Sequence, residues 1–257
     1  MKRPDQFAVF ARYVVYRVKS ELKAETTRSY LSYLWWLLEP CLMIAVFYLV
    51  FGVVFRRGDE NFVSFLLLGV TAWLWFANTL TKSMQSVRKE TNLMLQVYVP
   101  KYVFPLSAIM LGLFKQLFVV LLLFGLLALL EGPSHTWMWF AMIFLVQLLL
   151  IAAVSMLAAA IVPFVPDLVY LIPPLLQLGM FLSGIFYPID WIPAAYQSLF
   201  RLNPMAGLII EYRNVMLYSQ LPDLEYLACV GAGSVALLAC GLWLLVRFDR
   251  IYPRLTN

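Results

Sequence analysis

Apolar residues along this chain gather into six long runs separated by polar connections: Leu31–Phe55, Phe62–Leu80, Val103–Leu130, Trp137–Ile161, Leu168–Ile185 and Tyr226–Val246. About 20 mostly apolar residues form a helix that crosses roughly 30 Å of hydrocarbon, so each run is read as one span. The fifth is interrupted by Pro173-Pro174, which a span tolerates where its neighbours satisfy the backbone. The first run is too long for a signal-peptide core and reads as a span that also directs insertion. The pattern predicts an all-α membrane protein with six transmembrane helices.

Three segments do not fit a span. Residues 1–30 place Phe7, Phe10, Ala11, Val14, Val18 and Leu22 on one helical face, with Arg12, Tyr16, Lys19 and Lys23 on another. That is the pattern of an amphipathic helix lying along a membrane surface, its cations near anionic headgroups. The remainder, 31–257, is then a single transmembrane domain. Residues 83–102 are polar and helix-prone before Pro100, between the second and third spans. Residues 186–224 form a long connection before the last span and still contain apolar pieces such as Trp191–Phe200. Such pieces predict short re-entrant or interfacial helices, admissible where protein or a cavity satisfies their backbone.

Composition agrees with the spans: 63% of the residues are hydrophobic and 13% charged, where soluble domains run nearer half and a quarter. The net charge of +5 is spread over several short segments, so it reads as a topology signal and not as a nucleic-acid footprint. Fourteen Lys and Arg lie in the amino-terminal segment, the 83–102 connection with Lys82, and the carboxy-terminal tail. Four, Arg56, Arg57, Arg201 and Arg213, lie on the other side. By the positive-inside rule both termini are cytoplasmic, consistent with an even number of spans. Cys41, Cys229 and Cys240 are odd in number and sit in apolar runs, which gives no disulfide framework or metal spacing and predicts buried neutral thiols.

Candidate chemistry is sparse. No G-x-x-x-x-G-K-[ST] loop is present, so ATP hydrolysis by that route is not expected in this chain, nor is any cofactor or metal. The single histidine, His135, sits beside a Gly-Pro turn without obvious catalytic partners, and no later histidine could act as a base for Ser183. Among the polar residues inside the spans, Glu39, Lys115, Gln147 and Gln177 stand well away from the span ends. A charge at the bilayer centre costs about 2.5–3.5 kcal/mol, so Glu39 and Lys115 must face a partner or a wet cavity. Two readings stand, a polar belt lining a path or an ion pair joining the first and third spans. Trp35, Trp36, Trp137, Trp139 and Trp243 lie near span ends, where an aromatic belt accounts for them. Trp73 and Trp75 lie within the second span and read as core packing or as a wall on which a sugar could stack.

Three stretches, in order along the chain, resemble one family. Arg28-Ser29-Tyr30-Leu31-Ser32-Tyr33-Leu34-Trp35-Trp36-Leu37-Leu38-Glu39-Pro40 is similar to the lead-in to the first span of ABC-transporter permeases that export O-antigen, capsular polysaccharide and teichoic acid. Val97-Tyr98-Val99-Pro100-Lys101 with Phe104-Pro105 resembles the segment after that family's coupling helix. Ser183-Gly184-Ile185-Phe186-Tyr187-Pro188, then Asn203-Pro204-Met205 and Arg213, resembles its external re-entrant region. Ser32 departs from the pattern, since the family often has glycine there.

The resemblance implies a multi-pass protein of the bacterial inner membrane, not itself an enzyme, paired with a second copy of itself. A separate ATP-binding subunit would use ATP and Mg, and the cargo would be a lipid-linked glycan of the O-antigen or capsule type. It implies ATPase coupling through Gln85, Ser86, Arg88, Lys89, Glu90 and Asn92. A substrate path would involve Tyr33, Trp36, Glu39, Trp73, Trp75, Lys115, Tyr187 and Trp191. Arg12, Lys19, Lys23 and Arg28 would form a collar meeting the phosphate of the lipid anchor. The rival reading is an ion-coupled secondary transporter with Glu39 and Lys115 as its relay, against which stand the absence of a convincing repeat between the halves and the few titratable groups in the spans.

Overall fold

The structure, a computed structural model, describes residues 13–23, 32–54, 61–96 and 98–255. Among these residues every regular element is helical. The first helix, α1, covers 13–23. Next come α2 (Ser32–Phe47), continued by a π-helical stretch Tyr48–Val54, and α3 (Phe62–Met84). Two short helices, α4 (Ser86–Lys89) and α5 (Thr91–Gln96), lead into α6 (Val103–Leu130). A 3₁₀ turn, His135–Trp139, opens α7 (Phe140–Ile161), and α8 (Leu168–Phe181) follows. A second 3₁₀ turn (Ile189–Trp191), α9 (Ala194–Arg201), α10 (Pro204–Met216), α11 (Leu224–Arg247) and α12 (Tyr252–Leu255) complete the order.

Among the described residues, four helices are long and apolar enough to cross a membrane: α3, α6, α7 with its 3₁₀ turn, and α11. The fifth predicted span is shorter than its apolar run. It stops at Phe181, because Ser183 bonds back to the Gly179 carbonyl and Gly184 turns the chain at a φ of 65°. That positive φ is one a glycine adopts without Cβ strain. The three cysteines also depart from expectation. All are free and exposed on the isolated chain, on the outward faces of α2 and α11.

Helix α3 is the centre of the molecule, buried almost all round and packed against α2, α6, α7, α8 and α10. The main core joins it to α7 and α10 through Leu66, Trp75, Ile143, Phe144, Leu208 and Tyr212. The broadest seam runs between α7 and α11. A Cβ on Gly241 would lie 2.8 Å from the backbone nitrogen of Leu157, so the two backbones meet there without a side chain between them. Small residues permit that approach, which replaces the hydrophobic drive that helices in lipid lack. A smaller core of Val87, Met94, Phe104, Met156, Leu245 and Tyr252 closes the end where α5 and α12 meet.

Helix α10 lies buried at the opposite end, and each of its termini is satisfied by a neighbour. Asn203 accepts from the Met205 and Ala206 amides and donates to Ser183 Oγ at 2.9 Å. Pro204 occupies the first turn, where its missing N–H costs nothing. At the other terminus Thr136 Oγ1 donates to the Val215 carbonyl at 2.6 Å and Trp137 Nε1 to that of Met216 at 3.3 Å. A short helix buried among spans needs such partners, because hydrocarbon offers none.

Candidate functional site

Three helices enclose a polar pocket of about 230 Å³: α2 contributes Glu39, α3 contributes Thr71, Trp75, Asn78, Thr79 and Lys82, and α6 contributes Gly112, Lys115 and Gln116. The α3 residues Thr71, Trp75, Asn78 and Lys82 recur at the spacing of one helical face, as do Gly112, Lys115, Gln116 and Val119 on α6. The helices run antiparallel and close together. A Cβ on Gly112 would collide with Thr79 Oγ1, so the glycine sets how near α6 comes to α3. Asn78 Nδ2 donates to Glu39 Oε2 at 3.4 Å, tying α2 to the pocket rim.

The two charges that sequence placed inside apolar runs, Glu39 and Lys115, therefore line one pocket. Trp73 and Trp75 do not share a wall. Residues two apart on a helix point about 200° from each other, and the pair faces different neighbours accordingly. Trp75 stacks on Phe144 of α7 with ring centres 4.6 Å apart and borders the polar pocket. Trp73 packs against Phe76 and against Gly179 of α8, beside a second cavity of about 330 Å³ that Gln177, Met43 and Phe47 also line. Both indoles are buried. Gln147 serves structure: its amide donates to the Ala72 carbonyl and its oxygen accepts from the Tyr212 hydroxyl, each at 2.8 Å.

Tyr187 and Trp191 lie at the opposite end. Tyr187 is half-buried, its hydroxyl donating to the Phe181 carbonyl at 3.0 Å, and Trp191 is exposed. The side chains of Tyr33, Trp36 and Asn92, together with all of Arg12 and Arg28, lie outside the described residues. Lys19 and Lys23 stand on the exposed face of α1.

In the 83–102 segment, Arg88 and Lys89 are exposed and Gln85 is half-buried between α3 and α4. Ser86 is buried and donates to the Ser83 carbonyl. Glu90 accepts a hydrogen bond from Arg17 of α1, whose guanidinium also bonds Glu21 and lies over the Phe104 ring. Burial works against the Arg17 charge, but the bond to Glu90 and neighbouring carboxylates outweigh it and raise its pKa. The Lys101 amide donates to Asp249 at 3.0 Å, and Tyr252 donates to the Ala160 carbonyl at 3.1 Å. The Asp249 carboxylate, accepting from the Tyr98 hydroxyl, holds that phenol above its ordinary pKa.

One cation that sequence named in a motif and in the count of external charges is in fact buried. Arg213 donates to the carbonyls of Phe65, Gly184 and Ile185 at 3.2, 2.7 and 2.9 Å and lies 3.3 Å from the centre of the Phe65 ring. It joins α10 to α3 and to the turn after α8. The Arg17–Glu90 contact and the α3 stripe were missed. The stripe was legible as a polar series at positions i, i+4, i+7 and i+11, whereas the ion pair joins residues 73 apart and has no local signal.

The described residues thus form a bundle in which four helices are long and apolar enough to cross a membrane, with a pocket lined by Glu39, Asn78, Lys82 and Lys115 beside α3. The sequence profile of ABC-2 type transporters matches residues 16–217, and the chain belongs to that family. It is 33% identical over 226 residues to an O-antigen export system permease protein of Myxococcus xanthus, with 86% of each chain covered. It is 28% identical over 229 residues to an O-antigen export system permease protein of Klebsiella pneumoniae, again with 86% of each covered. A polysialic acid transport protein of Escherichia coli is 25% identical over 219 residues, covering 81% of this chain and 83% of that one.

Proposed function

We propose that this chain is the membrane-spanning subunit of an ATP-driven exporter that carries a lipid-linked polysaccharide, of the O-antigen or capsule type, across the inner membrane. The observation that carries this reading is the similarity, over most of both chains, to permeases named for export of O-antigen and polysialic acid. A polymer that slides through must not be gripped at any one sugar, which favours smooth aromatic and polar walls over a closed pocket. In this reading six spans, α2, α3, α6, α7, α8 and α11, cross the membrane with both termini in the cytoplasm. Two copies associate with a separate ATP-binding subunit, which the exposed Arg88 and Lys89 meet, and α1 lies along the cytoplasmic surface with Lys19 and Lys23 toward the headgroups.

The rival, an ion-coupled transporter, draws on the placement of Glu39 and Lys115 in one pocket. Export of surface glycan, measured in cells with the proton gradient collapsed and ATP held constant, separates the two. Export is expected to persist there and to stop when the partner's ATP site is inactivated. Export that stops with the gradient and ignores that ATP site would overturn the proposal and favour ion coupling.

A further inference from the structure

The short segment 248–252 that follows α11 is tied to the start of α6 and the end of α7. The Asp249 carboxylate accepts from the Lys101 amide, 148 residues away, at 3.0 Å, just ahead of α6. Its other oxygen lies 3.8 Å from the Lys101 ammonium, which donates to the Val99 carbonyl and sits 5.0 Å from the centre of the Tyr98 ring. Lys101 is 2% exposed, so this cation is directed wholly into the protein. Tyr252 donates to the carbonyl of Ala160, in the last turn of α7. Phe164, just beyond α7, meets the rings of Phe248 and Tyr252 edge-on, each at 5.4 Å.

These contacts satisfy groups that helices leave over. The last carbonyls of α7 lack partners within it, and Tyr252 takes one of them; a carboxylate ahead of α6 faces the positive end of its dipole. Both bonds reach main chain and not a flexible side chain, so they fix where the two helices end. A buried ion pair adds little net stability over apolar packing of the same shape; what it adds is a set geometry between the elements it joins. Stability alone therefore does not account for Lys101 and Asp249.

The same place is the inner side of the 83–102 segment. Val87 of α4 and Met94 of α5 pack into one core with Phe104, Met156, Leu245 and Tyr252, and α5 touches α12. On the outer side Arg88 and Lys89 are exposed. A load applied to α4 and α5 from outside is thus received by a core whose far wall is α7 and α11, the pair that shares the broadest seam in the molecule.

We propose that residues 248–252 are the strut through which the 83–102 segment drives α7 and α11, with Asp249 and Lys101 as its positioning residues. The inference rests on the exporter reading, in which the ATP-binding subunit meets Arg88 and Lys89. Asp249 acts through Lys101 and not on the cargo. It holds the approach to α6 against the end of α11, so that α4 and α5 cannot shift without carrying α7 and α11 along. With the strut loosened, the same shift is absorbed locally, and ATP is consumed without a matching movement of the spans.

The test compares surface glycan in cells with ATP hydrolysis by the co-purified complex of the full chain and its ATP-binding subunit. Asp249→Ala should lower export roughly threefold to tenfold while hydrolysis stays within about twofold, raising the ATP consumed per glycan exported. Asp249→Glu, which keeps a charged acceptor there, should recover a large part of the export. Tyr252→Phe keeps the ring against Phe164 and removes only the bond to α7; it should move the same ratio in the same direction by about twofold. If Asp249→Ala does not accumulate, Tyr252→Phe carries the test. A contact that merely holds the fold would lower the amount of complex, with export and hydrolysis falling together at an unchanged ratio. That result, where wild-type export runs on ATP, would overturn the strut alone. Wild-type export indifferent to the partner's ATP site would overturn the exporter reading, and the strut with it.

Discussion

Arg213 shows how a single residue can hold a buried element without a counter-ion. Two of its acceptors, the Gly184 and Ile185 carbonyls, lie just past the end of α8, where the helix dipole is negative, and the third belongs to α3. A hydrogen bond from a charged donor is worth about 1.5–3 kcal/mol, so Arg213→Gln should cost about 3 kcal/mol or more. Thermal unfolding of the purified protein is expected to show the loss. Arg213→Lys should fare little better, because one ammonium cannot span acceptors on two elements as the planar fork does. A melting temperature unchanged in both variants would mean that the carbonyls are satisfied otherwise. Sequence alone gave this arginine a place in its motif and in the count of external charges but no partner, since its acceptors lie 28, 29 and 148 residues away.

At the scale of elements, the helices were legible because apolar runs of about 20 residues or more have few alternatives to a span. The first, second, third and last runs correspond to α2 with its π-helical continuation, α3, α6 and α11 within a few residues. The pocket was only half legible. Its charged residues stood out against apolar surroundings, but that α2, α3 and α6 bring them to one place is tertiary information. The contact of α1 with α5's approach was hidden for the same reason. Arg17 holds Glu90 beside the exposed Arg88 and Lys89, so α1 and the α4–α5 segment are expected to move as one body. Arg17→Glu should lower ATP-dependent export, and Arg17→Glu with Glu90→Arg should restore a substantial part of it. Reversing Arg88 and Lys89 should instead release the ATP-binding subunit in co-purification, with no rescue from α1. If the swapped pair recovers nothing, the contact does not transmit motion.

For the whole molecule, the proposed orientation is open to a direct chemical check in a background lacking Cys41, Cys229 and Cys240. Ser20 on α1 and His135 in the turn before α7 are both exposed and lie at opposite ends of the bundle. A membrane-impermeant thiol reagent applied outside intact cells should label His135→Cys and spare Ser20→Cys. The reverse pattern would invert the molecule, and with it the side on which Arg88 and Lys89 could meet an ATP-binding subunit.

The unequal lengths of α6 and α8 have a consequence for the surrounding bilayer. At about 1.5 Å per residue, the 28 residues of α6 reach roughly 42 Å, and the 14 residues of α8 roughly 21 Å. Hydrocarbon about 30 Å thick is matched by tilting the first, whereas the second falls short by nearly a third. In the proposed six-span arrangement a full-depth sheet of acyl chains would not fit against α8. The lipid on that flank would thin or yield to water, and the barrier that a sugar or a charged headgroup meets there would be lower than along α6. In bilayers of longer-chain lipids that local advantage shrinks, and transport should slow before the protein itself becomes unstable.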